Sequence, residues 1–390
     1  MISRVAESCF WLFRYIERAE SCSRLVSVNR LIVLDAEIGD VDRWKPVIVV
    51  LGEQARFEEL LGVDRYHDDD DVQEYLTWSQ ENPVSIRSNL YWARENARMT
   101  REVISREMWE TLNTWWQWFN GRAAVKEYKK DRSQFYQRIR SMCAEFQGIS
   151  DSTMLHEEPL DFMRLGMLLE RANQTARLMD VTHLRLQASE QAKLETPWQS
   201  AQWVSQLKLC AADEPFFKRN RAAPTGSAVA AFLLQDPTFP RSVRHCFERA
   251  AVLMASVEVA AERQGPTASL TAIRSMVERL RSADIVSVIQ SGLHEELTRV
   301  VETAATVCDE LNREFFDPTT DTPSARVSTA PPLPSLHPVP IQAPAQSQSQ
   351  TQNQTHAALG ASSQLVESAT VPRAASSDID PPSEVGAKAR

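Results

Sequence analysis

Two Glu-Arg dipeptides at matching positions of the sequence carry the side chains best suited to chemistry. They are Glu17-Arg18 and Glu170-Arg171. A carboxyl group can accept or donate a proton, and as a carboxylate it can form an ion pair. The guanidinium group of arginine binds a carboxylate through two parallel hydrogen bonds. Such a set could bind a zwitterion or a carboxylate-bearing peptide. It could equally be an internal salt-bridge network that only holds helices in register.

The two dipeptides lie in an internal repeat. Residues 10–26, FWLFRYIERAESCSRLV, align without a gap with residues 163–179, MRLGMLLERANQTARLM. At about 100° per residue in an α-helix, each copy places apolar residues on one side and charged residues on the other. We therefore predict two amphipathic helices in the same register, near 3–38 and 160–188.

Reciprocal pairing between the copies would satisfy all four charged residues. Sequence neighbours on a helix point about 100° apart, so a Glu and the Arg that follows it cannot face each other well. Each residue therefore needs a partner elsewhere. The two copies allow Glu17 to meet Arg171 while Arg18 meets Glu170, across a pseudo-twofold axis.

A third charged segment, Arg-Glu-Asn-Ala-Arg at 94–98, lies on a predicted helix that starts at Ile86. If this helix converges with the two repeat helices, the three together form a groove lined by arginine and glutamate. The predicted groove residues are Glu17, Arg18, Arg24, Arg94, Glu95, Arg98, Glu170, Arg171 and Arg177. The sequence does not decide between this groove and an internal network.

The composition is that of a globular protein with an extended tail. The chain has 390 residues, of which 43% are hydrophobic and 24% charged, and apolar residues recur at helical spacing through most of it. We predict an all-α, multi-helix bundle with an internal pseudo-repeat, formed by residues 1–317. Residues 318–390, rich in Pro, Ser, Gln and Ala, are predicted to be a disordered tail because they cannot bury a core.

Several helices can be predicted individually. A short buried helix at 44–51 should end at Gly52, with a proline in its first turn. The acidic run at 67–71 indicates a helix N-terminus rather than a metal-binding tract. Single continuous helices are predicted from Ile86 to Gly121 and from Ala123 to Gln147.

Charge and motif content exclude several classes of function. The formal net charge of −9 gives no electrostatic footprint for nucleic acid or an anionic membrane surface. The sequence has no apolar run long enough to span a bilayer and no secretory signal. It contains no Glu-x-x-His motif, zinc-ligand spacing or nucleotide-binding loop. We therefore predict no metal, no cofactor and, from the scattered cysteines, a cytoplasmic location.

Several motifs in order resemble one known family. They are residues 10–12, 14–20, 94–98, 165–172 and 239–243. Together they resemble the bacterial alpha-E family, an all-helical domain with a Glu-Arg motif, over residues 1–316. Met167 departs from the family pattern, in which a basic or polar residue often stands at this position. The family supplies no established catalytic residue.

The resemblance implies that the protein works together with enzymes. The family is associated with circularly permuted ATP-grasp amide ligases and with transglutaminase-like peptidases. We therefore expect a non-catalytic partner or scaffold of an ATP-grasp-type peptide ligase. The alternative is an enzyme that acts on a peptide or amino-acid substrate in the Glu/Arg groove. A partner protein predicts an exposed apolar patch, whereas an enzyme predicts a closed polar pocket at the Glu-Arg residues.

Overall fold

Two long helices, α1 (Ser3–Asp35) and α9 (Glu158–Ala188), pack against each other at the centre of the fold. The computed structural model describes residues 3–35, 44–188, 197–262 and 265–316. These residues form fifteen α-helices and, within the described part, no strand. The predicted all-α class is therefore confirmed, and the tail predicted at 318–390 lies outside the described residues.

The remaining helices follow in chain order. They are α2 (Lys45–Leu51), α3 (Gln54–Leu61), α4 (Asp69–Thr77), α5 (Ile86–Met99), α6 (Arg106–Phe119), α7 (Arg122–Lys130), α8 (Arg132–Thr153), α10 (Pro197–Leu209), α11 (Asp213–Arg219), α12 (Gly226–Gln235), α13 (Val243–Ala260), α14 (Ala268–Ser282) and α15 (Ile285–Leu311). A short 3₁₀ helix precedes α4, and a π-helical turn follows α15. Among the described helices, none has the length and apolar character that crossing a bilayer requires.

The two halves of the described chain repeat one pattern of helix packing. In the first half, α1 packs on α5 and α8, and α6 packs on both of these. In the second half, α9 packs on α13 and α15, and α14 packs on both of these. Each half is thus a ring of four helices, and the contact between α1 and α9 joins the rings. The repeat therefore extends beyond the two segments whose sequences align.

The starts of α5 and α13 show the same repeat at atomic detail. Ser85 and Ser242 cap these helices, each accepting a hydrogen bond of 3.1 Å from the backbone N–H three residues ahead. Each hydroxyl also donates to a carbonyl six residues back, Ser85 to Ser79 at 2.7 Å and Ser242 to Asp236. Both serines stand two residues after a proline. The same type of turn therefore precedes α5 in the first half and α13 in the second half.

These caps give a first test of the fold. Ser85→Ala and Ser242→Ala should each lower the free energy of unfolding by about 1–2 kcal/mol, because each removes an N-cap and a hydrogen bond to the preceding turn. Ser152→Ala, at an exposed position in α8, should change it by less than about 0.5 kcal/mol. Urea denaturation measures all three. Equal effects at the three positions would contradict the assigned caps.

Several predictions made from local sequence are confirmed. The short helix α2 is followed by Gly52, whose φ of 75° is the left-handed conformation that favours glycine. At the acidic run, the Asp68 side chain accepts hydrogen bonds from the backbone N–H groups of Asp70 and Asp71, at 2.9 and 3.1 Å. This run is therefore a helix cap. The residues predicted to be helical after Asp35 lie outside the described part.

The single helix predicted from Ile86 to Gly121 was wrong, because the chain breaks between α5 and α6. The Thr100 hydroxyl donates to the Asn96 carbonyl at 3.0 Å, and Ser105 caps α6 by accepting from the backbone N–H of Met108 at 3.2 Å. Ile104 stays buried across the break. The helical spacing of apolar residues therefore continues through the turn, so the sequence pattern does not reveal the break between the helices.

The single helix predicted at 123–147 was also wrong. The structure has α7 and α8 there, separated at Asp131, whose carboxylate accepts from the backbone N–H of Gln134 at 3.0 Å. An aspartate in the middle of a polar, charged segment can be an exposed helix residue or an N-cap. The packing of α7 back onto α8 selects the cap.

A buried Glu/Arg network between the central helices

The two Glu-Arg dipeptides meet at the contact between α1 and α9. Arg18 Nε lies 3.0 Å from Glu170 Oε1, and Arg171 Nε lies 2.9 Å from Glu17 Oε1. The second contact is an ion pair by distance, although its N–H is not aligned for a hydrogen bond. Both carboxylates are interior, with exposures of 0% for Glu17 and 2% for Glu170. The predicted reciprocal pairing is therefore present.

Two further arginines, which the sequence did not reveal as partners, complete these pairs. Arg14 binds Glu170 through Nε at 2.9 Å and Nη2 at 2.7 Å. Arg241 reaches Glu17 at 2.7 Å and Glu20 at 3.0 Å. Its position one residue before the cap of α13, in the motif at 239–243, was the available signal. Each central carboxylate is thus held by two guanidinium groups.

Two glutamine side chains also bind the central carboxylates, and one of them comes from a surrounding helix. Gln147 of α8 donates to Glu17 Oε2 at 3.3 Å and accepts from Arg171 Nη2 at 3.1 Å. Gln174 of α9 donates to Glu170 Oε1 at 3.0 Å. These amides use hydrogen-bonding capacity that the arginines leave open. The network therefore ties α8 to both central helices.

The charged side of α1 is buried, contrary to a simple amphipathic interpretation. Arg14 is 3% exposed, and its guanidinium lies 4.9 Å from the centre of the Trp11 ring and 5.4 Å from that of Phe10. Because α1 is surrounded by α5, α8 and α9, both its apolar and its polar sides face protein. The polar side is accommodated by ion pairs and cation–π contacts rather than by water.

The electrostatics fix the charge of Glu170. Burial acts to raise the pKa of this carboxyl, but the positive charges of Arg18 and Arg14 oppose burial and, with hydrogen bonds from Arg18 and Gln174, lower it to about 2. Glu170 is therefore ionised at any physiological pH. A carboxylate held in this state is a poor proton acceptor.

Arg24 and Arg177 lie at the two edges of the network. Arg24 forms an ion pair with Glu20, one turn earlier on α1. Arg177 instead binds neutral groups: its Nη1 donates to the Val50 carbonyl at 3.2 Å and its Nε to Asn173 Oδ1 at 3.3 Å. Both arginines were predicted to line a groove, and both adjoin the Glu-Arg pairs.

The remaining three predicted groove residues form a separate cluster. Arg94 donates to Asn113 Oδ1 at 2.8 Å and lies 5.5 Å from the ring centre of Trp109. Glu95 contacts Arg94 at 3.1 Å and Arg98 at 2.9 Å. The contacts of Arg94 join α5 to α6, and those of Glu95 lie within α5. The structure thus brings six of the nine predicted residues together and places Arg94, Glu95 and Arg98 elsewhere.

The described residues offer no group of three or more His, Cys, Asp or Glu side chains that could hold a metal ion. Of these residue types, His294 Nδ1 lies 2.7 Å from Asp180 Oδ1. The network between α1 and α9 is built mainly from carboxylates, guanidinium groups and amides, and the thiol of Cys308 also accepts from Arg14 Nη1 at 2.9 Å. Its chemistry is therefore ion pairing and anion recognition.

The helical core and its Glu-Arg residues agree with the description of one protein family. The profile of the Alpha-E family, described as a predicted alpha-helical domain with a conserved ER motif, matches residues 1–316. The chain belongs to the Alpha-E family. The match covers the described helices from α1 to the π-helical turn at 312–316.

Proteins that are similar to this Alpha-E chain include uncharacterised mycobacterial proteins. One from Mycobacterium bovis and one from Mycobacterium tuberculosis are each 24% identical over 322 residues. The match covers 76% of this chain and 35% of each relative, so the chain spans about a third of the length of the curated relatives it matches. No solved structure matches this chain.

Proposed function

We propose that this Alpha-E protein is a non-catalytic helical scaffold that works beside a separate enzyme. The observation that carries the proposal is the state of the two central carboxylates, each interior and each held by two arginines. A general base needs a pKa near the working pH and contact with substrate. The low pKa of Glu170, about 2, favours a structural role for the network.

The partner that we propose is an ATP-grasp-type peptide or amide ligase, with a transglutaminase-like peptidase as a second candidate. The family resemblance in the sequence suggests both. The greater length of the matched relatives supports a role for Alpha-E segments as one part of a larger machinery. The six cysteines, all buried free thiols, are compatible with a reducing cytoplasm as the working location.

Three exposed apolar residues that lie close together in the sequence support a partner protein over the alternative of an enzyme. Leu60, Leu61 and Val63, at the end of α3 and just after it, are 44%, 38% and 58% exposed. Clustered apolar side chains on a surface are typical of protein-binding sites. An enzyme acting at Glu17 and Glu170 would instead need carboxyls that are free to exchange protons.

Affinity purification of the full-length chain from its native host, followed by mass spectrometry, tests the scaffold role. We expect an ATP-grasp-type ligase in near-stoichiometric amount. The triple variant Leu60→Ser, Leu61→Ser, Val63→Ser should lose the ligase and keep its unfolding temperature. The matched control Val252→Ser with Val259→Ser, at exposed positions on α13, should retain it. A partnerless monomer in the wild type would contradict the proposal.

A further inference from the structure

A cleft of about 370 Å³ lies between α11, α12 and the turn that precedes α13. Its walls combine apolar side chains with two arginines, Arg219 and Arg241, and no carboxylate is among the described residues that line it. Ligand pockets in proteins typically have volumes of about 300–1,000 Å³ and apolar walls with a few polar groups. The cleft therefore has the size and the composition of a site for a small ligand.

The apolar part of the cleft is formed by aromatic rings and prolines. Phe232 and Phe239 line it, and their rings stack with centres 5.0 Å apart. Both phenylalanines are only 6% exposed, so packing holds their rings in place. Pro215 and Pro240 also line the cleft, and the ring of a proline fixes its backbone φ. The cleft thus offers a preformed surface for an apolar side chain.

Ala211 lines the same cleft in a left-handed backbone conformation. Its φ is 53°, and it lies two residues after the end of α10 at Leu209, where glycine is preferred because it has no Cβ. Strained residues of this kind cluster at ligand sites. The backbone at this edge of the cleft therefore supports a binding role.

Fixed partners orient the two guanidinium groups of the cleft. Arg219 forms an ion pair with Asp236 and donates to the Thr238 hydroxyl. Arg241 reaches the two carboxylates of α1 at 2.7 and 3.0 Å. A guanidinium group has five N–H donors, and these contacts leave donors unused on both arginines, which are 52% and 17% exposed. Each arginine can therefore bind an external acceptor without releasing its present partners.

The charges next to the cleft favour a ligand with a single negative charge. Arg24, Arg171 and Arg241 share two carboxylates, Glu17 and Glu20, so the cluster has one positive charge in excess. A carboxylate carries one negative charge, whereas a phosphate ester carries between one and two. A ligand with an ammonium group beside its carboxylate would bring a positive charge close to two arginines, which is unfavourable. A carboxylate with a blocked amine therefore fits best.

We propose that this cleft binds the C-terminal residue of a peptide, with its carboxylate at Arg219 and Arg241 and an apolar side chain against Phe232 and Phe239. The amine of such a residue lies in a peptide bond and carries no charge. The cleft is open to solvent on one side, so the rest of the peptide can extend out of it. This inference goes beyond the scaffold role and does not depend on it.

A series of small ligands tests each part of the proposal on the full-length wild-type protein by isothermal titration calorimetry. N-acetyl-L-phenylalanine should bind, and its amide, which lacks the carboxylate, should bind at least about tenfold more weakly. L-phenylalanine, which has a free ammonium group, should be weakened in the same direction. N-acetylglycine, which lacks the apolar side chain, should lose at least about tenfold. Equal affinities for the acid and the amide, or no binding of the acid, would overturn the proposal.

A longer ligand tests the assignment to a peptide. N-acetyl-glycyl-glycyl-L-phenylalanine should bind at least as tightly as N-acetyl-L-phenylalanine, because the additional residues can lie outside the cleft. Binding of the short acid without binding of the longer peptide would overturn the assignment to a peptide terminus. Tighter binding of phenyl phosphate than of N-acetyl-L-phenylalanine would overturn the assignment to a carboxylate.

Arg219→Gln tests the position of the site. It should weaken binding of N-acetyl-L-phenylalanine at least about tenfold and reduce the difference between the acid and the amide. The matched control is Lys218→Gln, which removes the same charge from the neighbouring residue of α11, is 76% exposed and does not line the cleft. This control should bind like the wild type. Equal weakening by both substitutions, or unchanged binding in a folded Arg219→Gln variant, would overturn the site, and circular dichroism establishes folding.

Discussion

Glu170→Gln is expected to lower the free energy of unfolding by about 3–5 kcal/mol, the cost of removing one partner from a buried ion pair. The substitution keeps the shape of the side chain and removes its charge. Arg14 and Arg18 would then lie in the interior without their counterion. Chemical denaturation, with the slope against denaturant concentration as a check on two-state behaviour, measures the change.

The pH dependence of stability should change in the same variant. The pKa of Glu170 is about 2 in the folded protein and near its ordinary value of 4.5 in the unfolded chain. A carboxyl with a depressed pKa stabilises the fold above its unfolded pKa, and this stabilisation is lost as pH falls toward the folded pKa. The wild type should therefore lose stability relative to Glu170→Gln between about pH 5 and pH 2.

A surface pair provides the control for this experiment. Glu110 is 57% exposed and lies 2.6 Å from Arg106, and Glu110→Gln should cost less than about 1 kcal/mol, as is usual for exposed pairs. Similar losses for Glu110→Gln and Glu170→Gln would show that the buried network contributes little. A Glu170→Gln protein of unchanged stability that had lost an enzymatic activity would overturn the scaffold role.

Gly166→Ala should destabilise the protein by about 2–3 kcal/mol through overpacking. A Cβ atom at this position would lie 2.3 Å from the carbonyl oxygen of Phe10 and 3.1 Å from Cγ of Arg14. The first contact is with backbone, so the clash cannot be relieved by a side-chain rotation. The two central helices would have to move apart, which would also stretch the ion pair between Arg14 and Glu170.

A second helical glycine gives the opposite expectation. Gly148 lies in α8, is exposed, and a Cβ atom there would meet nothing within 4 Å. Gly148→Ala should raise the free energy of unfolding by about 0.5–1 kcal/mol, because alanine is the better helix former. Thermal unfolding of the two variants side by side measures both signs. A neutral or stabilising Gly166→Ala would contradict the close approach of α1 and α9.

The sequence predicted the central part of the fold because the repeat and its periodicity are local signals. The positions of α1 and α9 and the reciprocal pairing of their Glu-Arg residues followed from matched spacing. It could not predict that Arg14 and Arg241 join the same network, because Arg14 aligns with Met167 and Arg241 lies outside the aligned segments. Only the packing of α1 against α9, and of the turn before α13 against α1, brings these groups together.

The boundaries of helices were less predictable for a related reason. Between α5 and α6 the apolar residues remain in helical phase, and the break is specified by a serine cap that resembles an ordinary polar residue. The separate position of Arg94, Glu95 and Arg98 was equally hidden. Their charges resemble those of the network, and only the approach of α6 supplies Asn113 as the partner of Arg94.

Joining both repeat helices in one polypeptide removes a restriction that a symmetric dimer would impose. In a dimer of identical chains, every substitution at a twofold contact appears on both sides of it. Here Gly166 corresponds to Phe13, and Met167 corresponds to Arg14. A glycine can therefore admit the partner backbone on one helix while a phenylalanine fills space on the other. In a single chain, the residues of one repeat helix can therefore change to improve the contact between the halves. The corresponding residues of the other helix remain free to evolve separately.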